Sequence, residues 1–111
     1  MFKSVAVVAL ALVATAPAFA QNGGRILQLE SPKAYKALSQ DARYAYIAGV
    51  LDFEAYSQPQ IYASIEGCVH ASSPDQLVGI VDKAMAALPT LDGKAMPELV
   101  HNAIVKDCGK R

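Results

Sequence analysis

The sequence predicts an all-α protein, a small bundle of three main helices with one or two shorter ones, closed by one disulfide. Three observations carry this. No stretch alternates apolar and polar residues for long enough to make a sheet. Apolar residues instead recur at spacings of three and four in Asp41–Tyr56, in Leu77–Leu88 and from Pro97 towards Asp107. Helix-start signals stand at Ser31-Pro32, ahead of a short first helix, and at Ser73-Pro74-Asp75-Gln76 and Pro97, ahead of the second and third segments.

The chain opens on a different pattern. Lys3 is followed by the apolar run Val5–Ala16, and Ala18-Phe19-Ala20 places small residues before Gln21. This is the charged, apolar and cleavage-site order of a secretory signal peptide over residues 1–20. An uncleaved anchor is the alternative, but the run falls short of the roughly 20 apolar residues of a comfortable span. Residues 21–111 are then one domain, large enough for a modest core. Gln21 to about Leu29 reads as a loose arm.

Within the domain, Ser31 caps and Pro32 opens a short helix over Lys33–Leu38. Asp41–Tyr56 is the strongest helix, with Tyr44, Ile47, Leu51 and Ala55 on one stripe and Tyr46, Val50 and Phe53 on a second beside it. Gly49 inside it either admits a neighbouring helix or is simply tolerated, at about 1 kcal/mol relative to alanine. Ser57-Gln58-Pro59-Gln60 interrupts the helix, and Ile61–Ile65 is a helical turn or an extended piece. Glu66-Gly67-Cys68 reads as a turn, and His70-Ala71-Ser72 as continuing loop. Ser73 and Gln76 form a capping box. Leu77, Val81, Ala84 and Leu88 trace the inner face of the next helix, with Val78 and Met85 beside them. Pro89 ends it and Asp92-Gly93 turns the chain. Leu99, Val100, Ala103 and Ile104 face inward on the last helix.

The chain has ten basic and ten acidic residues; removing Lys3 with the signal leaves about −1. That balance gives no electrostatic reason to expect nucleic acid or an anionic membrane as partner. Cys68 and Cys108 are the two cysteines, and export would place them where pairing is favoured. Two free thiols with a catalytic or metal role are the alternative, but no CxxC and no metal-ligand spacing supports it.

Candidate chemistry is sparse. His70 and His101 are the two histidines, and neither has a second ligand at i+3 or i+4, so solvated or capping roles are expected. Asp52 and Glu54 stand two residues apart and point about 200° away from each other, which makes no catalytic pair. Nothing assembles a nucleophile, a base and an orienting group, so no enzyme activity, metal or cofactor is expected. The tyrosines are more informative. Tyr35, Tyr44, Tyr46, Tyr56 and Tyr62 crowd the first half of the domain. Tyr44 and Tyr46 read as core or core edge. Tyr56 and Tyr62 flank the Pro59 break beside Glu54 and Glu66, a composition that suits a protein interface; the alternative is that both rings cover the core.

Three segments in order carry a resemblance. They are Tyr46-Ile47-Ala48-Gly49-Val50-Leu51-Asp52; Cys68 through Gln76-Leu77-Val78-Gly79-Ile80-Val81; and Leu88-Pro89 followed by Ala95-Met96-Pro97-Glu98-Leu99-Val100, Ala103 and Cys108. Together they resemble the Rap/Tai family of type VI secretion immunity proteins over about Asp41–Cys108. One departure is that Arg43 stands near where family members often carry a further cysteine. The resemblance implies a periplasmic, non-catalytic protein that binds and neutralises a secreted toxin. Glu54, Tyr56, Tyr62 and Glu66 are then the expected partner-binding residues, and a homodimer is left open. A small periplasmic acid-stress chaperone is the alternative function, and an accessory or envelope-structural subunit a third.

Overall fold

A computed structural model describes residues 31–110, so the expected signal peptide and the Gln21–Leu29 arm lie outside the described residues. Within them the chain is helical, with no strand. The order is α1 (Pro32–Lys36), α2 (Gln40–Ser57), α3 (Pro59–Ala63), α4 (Glu66–Ala71), α5 (Pro74–Ala86) and α6 (Met96–Cys108). α5 packs along α6, and α2 lies against both.

The start signals act as their chemistry requires. Ser31 Oγ accepts from the Ala34 N–H at 3.1 Å, and Ser39 Oγ from the Ala42 N–H at 3.3 Å. At α5 the capping box closes both ways: the Gln76 N–H donates to Ser73 Oγ at 3.1 Å, and the Ser73 N–H donates to Gln76 Oε1 at 2.7 Å. Each of these bonds satisfies an N–H that has no partner within the first helical turn. Between α5 and α6 the chain turns at Asp92-Gly93, where Gly93 has φ +73°. That is left-handed backbone, which glycine adopts without a side-chain clash.

The core is built from Ile47 and Leu51 of α2, Ile65 and Val69 around α4, Leu77, Val78, Val81 and Met85 of α5, and Met96, Val100, Ala103 and Ile104 of α6. Tyr35 of α1 is fully buried beside them. Its ring meets Tyr46 edge-on at 5.9 Å, and the Arg43 guanidinium lies 5.4 Å from its centroid. Arg43 also pairs with Asp82 at 3.0 Å and donates to the Lys36 and Leu38 carbonyls at 2.7 and 3.2 Å. One side chain therefore closes the C-terminal end of α1 and ties α2 to α5. Cys68 and Cys108 are bonded, S–S 2.06 Å, joining α4 to the end of α6.

The structure corrects several expectations. Glu66–Ala71, read as a turn and loop, is helix α4, and His70 lies on it, exposed. Gly67 has low helix propensity, but burial of Val69 and the Cys68 link outweigh that small cost. Of Ile61–Ile65, Ile61–Ala63 are the end of helix α3, and Ser64 and Ile65 turn the chain into α4. Gly49 is not a contact position: a Cβ built there meets nothing within 4 Å, and the residue is exposed. Tyr44 and Phe53 were placed on inward stripes, yet they are 36% and 68% exposed. Phe53 lies off the narrow line of Ile47, Leu51 and Glu54 that α2 turns inward, whereas Tyr44, three residues before Ile47, stands at the edge of that line near the start of the helix, where less of the core covers it. Tyr46 lies at the core edge.

Candidate interaction surface

The four residues expected to bind a partner divide in two. Tyr56 is 85% exposed, Glu66 is exposed and Tyr62 is half-buried. Glu54 is only 7% exposed and does not belong to the surface. The helix period explains the split. Ile47, Leu51 and Glu54 follow spacings of four and three and so share one face. Tyr56, two residues beyond Glu54, is rotated about 200° from it and faces solvent.

Glu54 has a partner that sequence reasoning missed. His101 Nδ1 on α6 lies 2.7 Å from Glu54 Oε1, with His101 one-third exposed. The distance is that of an ion pair, but Oε1 has no hydrogen bond of good alignment. A carboxylate on the line of Ile47 and Leu51 was the available signal. A buried carboxyl group needs a polar neighbour, and His101 is the one α6 supplies.

Of the large apolar side chains left exposed, Tyr44 stands near the start of α2, while Phe53, Tyr56 and Ile61 lie on either side of the junction of α2 and α3. Phe53 and Tyr56 are neighbours at i, i+3 and Asp52 and Tyr56 at i, i+4, so the three form one patch on the outer side of α2. Ile61 of α3 is 43% exposed. The break between the helices is well made. Pro59 opens α3, the Gln58 N–H donates to the Glu54 carbonyl at 2.7 Å, and the Ser57 hydroxyl donates to the Phe53 carbonyl at 2.8 Å. The backbone that carries these exposed rings is held by hydrogen bonds, so a partner docking on them would have only side chains to order.

The stretch of sequence that carries these residues is one-signed. Residues 44–82 contain no lysine or arginine but five carboxylates: Asp52, Glu54, Glu66, Asp75 and Asp82. Asp82 is paired with Arg43, and Asp75 accepts from Gln40 Nε2 at 3.3 Å. Partial burial first, and then the charges of Glu66, Asp52 and Glu54, push the Tyr62 phenol above its ordinary pKa. Lysines gather elsewhere: Lys33, Lys36 and Lys94 line an open depression between α1 and the loop at residues 91–95.

Among the described residues no group of three His, Cys, Asp or Glu side chains is placed to hold a metal ion, and no helix is long and apolar enough to cross a membrane. Comparison with family models, curated proteins and solved structures finds no match to this chain.

Proposed function

We propose that this is an exported, non-catalytic inhibitor of the immunity type, which binds and neutralises a type VI secretion toxin in the periplasm. The observation that carries the reading is the exposure of Phe53 and Tyr56, at 68% and 85%, on a capped and cross-linked scaffold. A stoichiometric inhibitor needs a firm surface with aromatic anchors and no catalytic groups. The signal-peptide pattern, the disulfide and the resemblance to Rap/Tai immunity proteins support the compartment and the class of partner. The surface differs from the one expected on sequence grounds: Tyr56, Tyr62 and Glu66 remain, Glu54 leaves, and Phe53 and Asp52 join.

The test is co-expression with secreted toxins of the same genome, scored by survival and by co-purification. Tyr56→Ala and Phe53→Ala should each weaken binding by about 2 kcal/mol while leaving the helical circular-dichroism spectrum intact. If no toxin is captured and the protein instead prevents aggregation of unrelated periplasmic proteins at low pH, the acid-stress chaperone replaces the inhibitor.

A further inference from the structure

We infer that the Phe53–Tyr56 patch is built for a cationic protein segment, with guanidinium groups as its best-fitting contacts. The inference rests on the patch being a docking surface and names the chemistry of what docks there. Asp52, Phe53 and Tyr56 are all exposed and adjacent on α2 by helix geometry. An arginine can stack on either ring while its fork reaches the Asp52 carboxylate, a geometry that lysine's point charge does not match. Glu66, exposed at the start of α4, extends the negative charge past Tyr62.

Charge complementarity decides between occupants. The span from Tyr44 to Asp82 carries no lysine or arginine. The one arginine on α2, Arg43, is committed to Asp82, the Lys36 and Leu38 carbonyls and the Tyr35 ring. A second copy of the chain docked through the same patch would set Asp52 and Glu66 against their own counterparts with no cation to offset them, and like charges across an interface are costly. Nucleic acid is excluded by the same sign of charge. A basic protein segment meets both the rings and the carboxylates.

The experiment uses the purified oxidised protein and two synthetic dodecapeptides, one with four arginines and two leucines, the other with glutamate in place of each arginine. Binding is followed by NMR, with no tryptophan in the chain to crowd the aromatic region. The arginine peptide should shift the ring signals of Phe53, Tyr56 and Tyr62, and its dissociation constant should rise with salt. Asp52→Asn with Glu66→Gln should weaken it about fivefold. The glutamate peptide should leave the rings unmoved. The inference is overturned if the arginine peptide maps elsewhere, if the charge-neutral variant binds it equally well, or if the ring signals move with protein concentration alone, which would make a second copy the occupant. Failure here and failure of the immunity reading are separable. A captured toxin that binds the charge-neutral variant as tightly as the parent overturns this inference only. Arginine-peptide binding with this pattern, in a protein that captures no toxin, overturns the immunity reading only.

Discussion

α5 has 13 residues and buries four apolar side chains on one stripe, Leu77, Val78, Val81 and Met85. α2 has 18 residues and buries two, Ile47 and Leu51, together with the carboxylate of Glu54. On its outer side α5 is largely polar, with Asp75, Gln76 and Lys83, whereas α2 shows Ala45, Gly49, Phe53 and Tyr56. The two helices start with the same serine cap and diverge in use. The pattern of α5 is consumed by the core. α2 carries a thin inner line that holds the bundle and an outer face, apolar but for Asp52, that the core does not use. Where apolar side chains are left in water on a well-capped helix, the burial term is available to another molecule.

That contrast can be broken first at the clasp, which belongs to the α4–α6 side. Cys68→Ser should cost about 4 kcal/mol, because the bond closes a 40-residue loop in the unfolded chain. Thermal unfolding with and without reductant measures it, and equal melting temperatures would show that α5 and α6 hold without the link. Intact mass before and after alkylation shows whether the thiols are paired in the isolated protein.

A smaller loss is expected where α2 meets α6. His101→Ala leaves the buried Glu54 carboxyl without the imidazole that faces it and should cost about 2 kcal/mol, as for a buried polar group that loses its partner. Replacing both, Glu54→Leu with His101→Leu, should recover most of the loss. A double variant no better than His101→Ala would mean that the site cannot repack around apolar groups.

At α1 the sign depends on pH. The Tyr35 hydroxyl is buried without a well-formed hydrogen bond. Burial, then the Asp82 charge, push its pKa well above the ordinary phenol value, with Arg43 opposing. A pKa raised on folding means stability that is complete below about pH 10 and is lost as the pH climbs past it. Tyr35→Phe should therefore be neutral to stabilising by up to about 1 kcal/mol at pH 7, and should blunt alkaline unfolding. Denaturant midpoints at pH 7 and pH 11 check both halves. The smallest change expected is Gly49→Ala, which should stabilise by about 0.5–1 kcal/mol, since the position is open and helical. A loss instead would show that the outer face of α2 is already in contact with something.

The α5 helix was legible because its caps, period and burial all agree. Its start at Ser73 follows from the residues alone, and of the face expected from Leu77, Val81, Ala84 and Leu88 with Val78 and Met85 beside it, Leu77, Val78, Val81 and Met85 are buried, while Ala84 is partly buried and Leu88 lies beyond the helix end at Ala86. α2 was legible in extent but not in orientation. With apolar residues all round, the period cannot say which side the core takes, and Phe53 was misplaced for that reason. α4 was hidden because local propensity at Gly67 points to a turn, while its helix is held by contacts distant in sequence, Val69 in the core and Cys68 bonded to Cys108. Tyr35 sits in a five-residue helix between Lys33 and Lys36, too short to show a period, yet it is fully buried. Of the candidate surface, Tyr56, Tyr62 and Glu66 were legible as composition. The Glu54–His101 pair was not, because it joins residues 47 apart in sequence that only the packing of α2 on α6 brings together.

The lysine-free span from Tyr44 to Asp82 also governs how the molecule can be handled. Amine-directed reagents cannot attach within the C-terminal half of α2, α3 or α4, so a protein coupled to a surface or a dye through its lysines leaves the aromatic patch chemically unmodified. Trypsin has no cleavage site there either. Digestion releases that whole stretch as one long peptide ending at Lys83, still tethered through Cys68 to the fragment that contains Cys108 until it is reduced.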